Sequence, residues 1–326
     1  MEILVLGCSS VFLRRVLPAL NDCKLVTKIH VASKGKSKSV IEIGCSPKID
    51  KWFFGYSEAL DALTANPSTL VYITLPNYLH YEWAEKCLLA GYHVVVEKPA
   101  VLKLSDAQYL CELATNKNIC FAEATVWPYH PQVGFVRQIL RRKGQAPASI
   151  KATFSVPSFD HDNFRNNTLL GGGVFNDMSA YAVSIGRVFF EGELKDVSSE
   201  MLNVSPSTGL DEVFKINAWY SDGQVLEGLF GFGLDYVNCL SIVGSGFNFD
   251  LTRVFSPPAQ IALPLYEFSD KSKKIHQIIG NAYLIFFTQV IESVHKGTYS
   301  KWSNLVLEDQ IVVDKIRVDL FRKESK

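Results

Sequence analysis

Lys98 is the first side chain of this sequence whose type and position suit carbonyl chemistry. It follows the apolar run Val94–Val96 and Glu97, and it precedes Pro99. A lysine at the carboxyl end of a buried strand lies where open α/β sheets bind their ligands. The proline favours an extended backbone at Lys98, and the cation would polarise a carbonyl group. The alternative is a strand-end lysine without a function, which is unfavourable at a buried edge unless it has a partner.

Asp177 and Tyr181 form a second candidate set, just after three glycines at 171–173. Because they are four residues apart, they share one face of a predicted helix. Tyr181 would donate the proton that an alkoxide needs after hydride transfer to a ketone. Lys98 would favour its ionisation, and Asp177 would orient a substrate hydroxyl group by accepting its hydrogen. The glycines would let the backbone approach a ligand. The alternative is a core tyrosine, since Tyr181 also belongs to an apolar helical stripe.

A dinucleotide site is indicated at the start of the chain. The predicted strand Ile3–Leu6 is followed by a turn and a helical pattern, as in dinucleotide-binding folds. Of the glycines in the pattern G-x-G-x-x-G only Gly7 is present, and Ser9 and Phe12 occupy the other positions. Phe12 would separate helix from strand unless it packs sideways, and a plain strand-turn-helix is the alternative. The predicted cofactor contacts of this loop are Gly7, Ser9, Ser10, Val11 and Phe12.

The end of the second predicted strand indicates which dinucleotide binds. NAD sites usually carry Asp or Glu there to hold the ribose, whereas this chain has Ser33 and Lys34, followed by Gly35 and Lys36. A hydroxyl group and cations suit a 2′-phosphate. The sequence therefore predicts NADP(H) in preference to NAD(H), with a solvated basic loop as the alternative.

The elements that would position these residues divide the chain in two. Short apolar strands alternate with helical patterns over residues 1–122, which predicts a parallel, doubly wound Rossmann domain. Ser57 and Ser105 are predicted N-caps of two of its helices, and Gly91 is placed to end another.

Residues 123–326 have a different pattern. Apolar runs flank Asp222-Gly223 and Gly244–Gly246, which predicts two hairpins. Helices are predicted over 277–295 and 307–321. This part is therefore predicted to be an α+β domain with an antiparallel sheet. We also expect its C-terminal helix to pack back on the first domain.

Four segments, in order along the chain, resemble the glucose–fructose oxidoreductase/inositol dehydrogenase/MocA (Gfo/Idh/MocA) family. They are Y-I-T-L-P-N-Y-L-H at 72–80, E-K-P at 97–99, Y-H-P-Q at 129–132 and G-G-G-V-F-N-D-M-S-A-Y at 171–181. The resemblance implies a Rossmann domain followed by an α/β domain with an open, mainly antiparallel sheet, which binds substrate and is often used for dimer contacts. It adds predicted cofactor contacts at Thr74, Leu75, Pro76, Asn77, His80, Glu97 and Lys98.

Tyrosine at position 181, where many members have histidine, resembles two subsets of that family. One is the nucleotide-sugar 3-ketoreductases, and the other is the dihydrodiol and xylose dehydrogenases. The opening G-C-S-S-V-F-L-R-R-V-L-P-A-L and the segment around Arg165 favour the first. Arg165 would contact a diphosphate or a sugar hydroxyl group, and a surface arginine is the alternative.

Composition excludes several other classes of function. Lys and Arg number 33, as do Asp and Glu, so the balanced charge gives no reason to expect nucleic acid or an anionic membrane as a partner. The seven cysteines are scattered, and the histidines lack ligand spacing, so neither a disulfide framework nor a metal site is expected. No long apolar run or secretory signal is evident.

The sequence thus predicts a cytoplasmic homo-oligomer, a dimer or tetramer, that reduces a keto group of a nucleotide-linked hexose with NADP(H). A sugar or dihydrodiol dehydrogenase is the alternative within the enzymes. A non-catalytic, NAD(P)-binding sugar sensor is the alternative of another class, although the presence of both Lys98 and Tyr181 favours an enzyme.

Overall fold

The computed structural model describes residues 1–35, 46–63, 68–160, 162–269 and 272–322. Lys36 of the predicted phosphate-binding loop lies outside these residues. The chain divides into two compact units. The first comprises Met1–Thr125 and Tyr283–Gln310, and the second comprises Val126–Ala282 and Ile311–Lys326.

The first unit is built on a six-stranded parallel sheet in the order β3-β2-β1-β4-β5-β6. This is the strand order of a Rossmann fold, so the predicted fold class is confirmed. Strands β4 and β5 are buried along their whole length and β1 from Ile3 onward, which explains their continuous apolar sequences. The strands are β1 (Glu2–Leu6), β2 (Lys28–Ala32), β3 (Ile49–Phe53), β4 (Thr69–Ile73), β5 (His93–Val96) and β6 (Phe121–Glu123).

Helices connect these strands. A π-helical turn, Phe12–Val16, leads into the first of them, and two more come from the C-terminal part of the chain. The predicted serine N-caps are wrong: Ser57 and Ser105 lie inside the first turns, and Gly55 and Lys103 occupy the cap positions. The helices are α1 (Leu17–Asp22), α2 (Tyr56–Ala62), α3 (His80–Leu89), α4 (Leu104–Asn116), α7 (Ala282–His295) and α8 (Ser300–Arg322).

The second unit has an eight-stranded sheet in the order β14-β13-β12-β11-β7-β10-β9-β8. All pairs are antiparallel except β7 with β10. Both predicted hairpins are confirmed. The strands are β7 (Ser149–Val156), β8 (Leu194–Val204), β9 (Asp211–Tyr220), β10 (Val225–Phe232), β11 (Val237–Gly244), β12 (Phe247–Thr252), β13 (Leu263–Ser269) and β14 (Ser272–Ile278).

One face of this sheet is covered by α5 (Pro131–Lys143), α6 (Val174–Phe189) and the C-terminal half of α8, which together form the core. Inward residues alternate along the strands, as in β9, where Phe214 and Ile216 are buried. The helix predicted from residue 277 is wrong at its start, because Gln277 and Ile278 pair with β13. Among the described residues, no helix is long and apolar enough to cross a membrane.

Candidate active site

The carboxyl ends of the parallel strands bring together most of the predicted cofactor residues. Leu6 pairs with Ile73, which in turn pairs with Val96. The loops that follow these three strands therefore start side by side, and they carry Gly7, Thr74 and Glu97. Register along one sheet edge is thus what assembles segments that are far apart in the sequence.

Gly7 sits where no other residue would fit. Its φ is +102°, and a Cβ there would lie 2.6 Å from the carbonyl oxygen of Thr74. Its amide donates to Ala32 O at 2.9 Å, which ties the loop to β2. A glycine is required because the neighbouring strand-end loop approaches the backbone so closely.

Ser9 and Phe12 explain how the loop accommodates two departures from the glycine pattern. Ser9 Oγ lies 2.6 Å from Thr74 Oγ1 and accepts the amide of Phe12 at 3.1 Å. Phe12 begins the π-helical turn, and its side chain is completely buried. Between them, Ser10 is exposed and Val11 is half-buried. The third glycine position therefore holds a large core side chain at the start of a widened helical turn.

The end of β2 carries no carboxylate from Ala32 to Gly35. Ser33 is half-buried, and its amide donates to Phe53 O at 3.0 Å. Lys34 is exposed, and its ammonium group lies 5.3 Å from the centre of the Tyr56 ring. A hydroxyl group and a cation thus stand together at this strand end.

The loop after β4 leads directly into α3. Thr74 and Asn77 are buried, and Leu75 and Pro76 connect them. His80, the first residue of α3, is also buried, and both its ring nitrogens face backbone oxygens. Nδ1 lies 2.7 Å from Pro99 O, and Nε2 lies 2.7 Å from Leu75 O. The imidazole is therefore fully occupied by the protein's own backbone.

Glu97 anchors the loop that carries Lys98. Its amide donates to Ile73 O at 2.9 Å. Its carboxylate accepts hydrogen bonds from the phenol groups of Tyr72 and Tyr283, the latter at 3.3 Å. Burial raises the pKa of Glu97, while the hydrogen bond from Tyr72 and the charge of Lys98 oppose that shift. The side chain before Lys98 is thus fixed to β4 and to α7.

The other side of this loop is held by a second carboxylate. Ala100 N donates to Glu123 Oε2 at 2.7 Å, and Thr125 donates its hydroxyl hydrogen to Glu123 Oε1. The Lys98–Pro99 peptide bond is cis. Lys98 therefore lies between Glu97 and residues 99–100, all of which are held by buried or half-buried side chains.

The candidate residues of the second unit lie on and before α6. Tyr181 is half-buried, with its ring centre 5.2 Å from Phe154 and 5.6 Å from Phe255. The interplanar angle with Phe154 is 75°, an edge-to-face arrangement that fixes the direction of the phenol. The ring thus packs against the core but keeps part of its surface exposed.

Asp177 and Arg165 form an ion pair, with Arg165 Nε 3.1 Å from Asp177 Oδ2. The guanidinium group also lies over the rings of Phe159 and Phe164, at 4.9 and 4.6 Å from their centres. Two residues that were expected to bind substrate separately are therefore held together beside the first turn of α6.

Two members of the glycine run have a reason to be glycine within the protein itself. A Cβ at Gly172 would lie 2.4 Å from Arg165 O, and one at Gly173 would lie 2.2 Å from Asp211 Oδ1. Any larger side chain at these two positions would therefore meet the protein's own atoms. Asp211 also accepts the amide of Phe175 at 2.5 Å, so it caps the start of α6.

Sequence reasoning missed Tyr72 and Tyr283 beside Glu97, Glu123 behind Ala100, and Asp211 at α6. None of these has a local sequence signal, because each meets its partner only through the fold. Tyr283 lies 186 residues from Glu97 along the chain.

Comparison with known proteins identifies the family. A profile described as an oxidoreductase family with an NAD-binding Rossmann fold matches residues 1–125, and that of the GFO/IDH/MocA C-terminal domain matches residues 145–246. This chain belongs to the GFO/IDH/MocA oxidoreductase family. The predicted family is therefore confirmed, over both units.

Relatives within the GFO/IDH/MocA family include two dTDP-3,4-didehydro-2,6-dideoxy-alpha-D-glucose 3-reductases. The one from Saccharopolyspora spinosa is 30% identical over 261 residues, which cover 78% of this chain and 76% of the relative. The one from Actinomadura kijaniata is 26% identical and covers 96% and 93% of the two chains. The crystal structure of KijD10, a 3-ketoreductase from Actinomadura kijaniata in complex with NADP and TDP-benzene, has a TM-score of 0.88 at 23% identity, with 98% of each chain covered.

Proposed function

We propose that this protein is an NADP(H)-dependent ketoreductase that acts on a keto group of a nucleotide-linked hexose. The observation that carries this proposal is the 30% identity to the Saccharopolyspora spinosa 3-reductase across most of both chains. Lys98 at the carboxyl end of β5 and Tyr181 on α6 supply the residue types that such a reduction needs.

The residues at the strand ends of the first unit fit NADP(H). The loop after β1 has a glycine at position 7, where a side chain would clash with the neighbouring loop. The backbone amides at the start of the following helical turn can bind phosphate oxygens. Ser33 and Lys34 offer a hydroxyl group and a cation for a 2′-phosphate, and no carboxylate occurs in the sequence from Ala32 to Gly35. When bound, this cofactor supplies the hydride for the keto carbon. We assign its binding to Gly7, Ser9, Ser10, Val11, Phe12, Ser33, Lys34, Thr74, Leu75, Pro76, Asn77, Glu97 and Lys98.

Lys98 and Tyr181 would handle the charge that develops on the keto oxygen. As a new C–H bond forms, the C=O electron pair moves to oxygen, and Tyr181 gives its phenolic proton to that oxygen. The Lys98 ammonium group would polarise the carbonyl beforehand and stabilise the phenolate afterwards. In the reverse direction Tyr181 would act as the base.

Arg165 and Asp177 would position the sugar nucleotide. We assign a diphosphate or a sugar hydroxyl group to Arg165, because a planar guanidinium group matches the geometry of phosphate oxygens. Asp177 would accept a hydrogen bond from a sugar hydroxyl group. Their ion pair, held over two phenylalanine rings, keeps both groups in one orientation.

Structures of KijD10 variants also support the two catalytic assignments. Variants in which a lysine is changed to alanine or glutamate, and a tyrosine to phenylalanine, resemble this chain with TM-scores of 0.83, 0.84 and 0.87 at 23% identity. The residue types altered there are the two on which our proposal depends.

A substrate screen tests this function. We expect loss of NADPH absorbance with dTDP-linked 3-keto-hexoses, and a higher kcat/KM for NADPH than for NADH. Oxidation of free xylose or of a dihydrodiol with NADP⁺, without reduction of any keto-sugar nucleotide, would instead favour a dehydrogenase. Tight NADPH binding without turnover of any of these compounds would favour a sensor.

We propose in addition that the protein is a cytoplasmic homo-oligomer, a dimer or tetramer. The exposed face of the large sheet carries Trp219, Val243 and Ile275, all of which are at least 40% exposed. An apolar sheet face of this kind favours association with another copy. Sedimentation velocity would show a single species of at least twice the chain mass, and a monomer at micromolar concentration would contradict it.

A further inference from the structure

His80 stands out in the first unit because its ring joins two functional loops without facing solvent. It is 1% exposed, although it opens a helix at the ligand-binding edge of the sheet. Its two ring nitrogens lie at the same distance, 2.7 Å, from Pro99 O and Leu75 O. Both ring nitrogens are thus taken up by backbone contacts within the first unit.

The two carbonyl groups belong to loops with different tasks. Leu75 lies in the loop after β4, which we assign to NADP(H), and Pro99 directly follows Lys98 in the loop after β5. The main-chain ladder between these strands ends with the hydrogen bond from Glu97 N to Ile73 O. Beyond that bond, the imidazole of His80 bridges the two loops.

We propose that His80 is a positioning residue that fixes the Lys98 loop to the cofactor loop. This inference rests on the proposed function, since it assigns Lys98 to catalysis and the loop after β4 to the dinucleotide. One ring nitrogen controls the position of Lys98 through Pro99, and the other controls the cofactor loop through Leu75. His80 itself touches neither substrate nor cofactor.

The two contacts of the His80 ring with carbonyl oxygens depend on the protonation of the imidazole. A carbonyl oxygen only accepts, so both short contacts are hydrogen bonds when both ring nitrogens carry hydrogen, whereas the neutral ring donates to one of the two oxygens. Burial lowers the pKa of His80, whereas the two carbonyl contacts oppose that shift and the charge of Lys98 adds to it. The ring and Lys98 are therefore coupled electrostatically as well as through the backbone of Pro99.

The fold should tolerate substitution at this position. The same loop is also held through Glu97, which binds Tyr72 and Tyr283, and through the bond from Ala100 N to Glu123. Loss of His80 would release Pro99 O while those anchors remain. A change in activity could then be measured in a folded protein.

Two conservative variants separate the two contacts. The amide nitrogen of asparagine takes roughly the place of Nδ1, so His80→Asn keeps a donor for Pro99 O. The amide nitrogen of glutamine takes roughly the place of Nε2, so His80→Gln keeps a donor for Leu75 O. His80→Ala removes both ring nitrogens. His93→Asn is the control, because His93 is another buried histidine of the first unit and accepts from Cys120 N.

The expected results split kcat from cofactor affinity. His80→Gln should lower the single-turnover rate constant about tenfold, because the loss of one ordinary hydrogen bond corresponds to roughly a tenfold change in rate. The Kd for NADPH should stay within about twofold of the wild-type value. His80→Asn should do the reverse, and His80→Ala should show both losses. Equal changes of kcat and Kd in the two conservative variants, or no change in either, would overturn the proposal.

A second readout does not depend on substrate. The rate at which an amine-directed reagent modifies Lys98, measured by mass spectrometry relative to Lys34, should change in His80→Gln and stay near wild type in His80→Asn. If wild type reduced no nucleotide-linked ketone, the proposed function would fail, while this rate and the NADPH Kd would still decide the role of His80. Identical modification of Lys98 in both variants would contradict it.

Discussion

Lys98 in the first unit and Tyr181 in the second are supported in different ways. Lys98 stands on a loop whose neighbouring atoms are held by His80, Glu97 and Glu123 through individual hydrogen bonds. Tyr181 stands on a sixteen-residue helix and packs edge-on against Phe154. The first support is polar and consists of single contacts, and the second is aromatic and collective.

The difference has a consequence for mutations. A hydrogen bond to one backbone atom can be removed with little loss of apolar burial, so changes around Lys98 should affect turnover more than folding. Changes around α6 remove packing or a helix cap, so they should affect stability more than turnover. The predictions below test this distinction.

The largest effects should come from the two proposed catalytic side chains. Lys98→Ala and Tyr181→Phe should each lower kcat by about a hundredfold to ten-thousandfold, the usual range for a positioned acid or its electrostatic partner. Thermal unfolding should stay close to wild type in both. Lys103→Ala and Tyr236→Phe, at exposed positions of the same units, are controls that should retain full activity. Near-normal kcat in either catalytic variant would refute that assignment.

Asp211→Ala should show the opposite pattern. Because Asp211 accepts the amide of Phe175 at the start of α6, its loss should lower the free energy of unfolding by about 1–2 kcal/mol, with kcat changed much less. Urea unfolding would measure this, with Asp222→Ala in an exposed hairpin turn as the control. A variant with unchanged stability and strongly reduced kcat would contradict the expectation that changes around α6 affect stability more than turnover.

Tyr283→Phe should have a smaller effect, and on turnover. It removes one of the donors to Glu97, so kcat should fall about threefold to tenfold while the melting temperature changes little. Tyr299→Phe is a matched control, since Tyr299 donates to Asn118 O in the same unit but away from Lys98. Equal kcat in the two variants would show that the Glu97 anchor does not matter for catalysis.

Acid sensitivity should be similar in the two units. Burial lowers the pKa of His93 in the first unit and of His130 in the second from 6.5 to about 4. The unfolded chain therefore binds more protons between these values, so the free energy of unfolding should fall as the pH drops from 6.5 to 4. His93→Asn and His130→Asn should each reduce this slope in urea titrations at pH 7 and pH 5. An unchanged slope in both variants would argue against buried neutral histidines.

The sequence was most informative where structure follows from local pattern. Buried parallel strands have continuous apolar runs, and the hairpin turns at Gly223 and Gly246 require positive φ, which glycine adopts readily. Strand ends and turns could therefore be found, and with them Gly7 and Lys98. The position of Ser57 and Ser105 was misjudged because helix ends shift by a few residues with little change in local pattern.

What the sequence did not reveal are contacts between distant segments. Asp211 fills the space that Gly173 leaves, so the glycine run could not be understood before the neighbour was known. The bond from Tyr283 to Glu97 likewise depends on α7 lying in the first unit. Residues proposed to act chemically can be recognised in the sequence by their type and position. Residues that support them can be recognised only once the fold shows which segments are neighbours.

The most direct test of the account is a double-variant cycle on the rate of hydride transfer. Single-turnover rates with NADPH and a dTDP-linked 3-keto-hexose would be measured for wild type, Lys98→Ala, Tyr181→Phe and the double variant. If the two residues serve one proton transfer, the double variant should be little slower than the slower single variant. Losses that multiply would show that Lys98 and Tyr181 act independently, and would contradict the central claim.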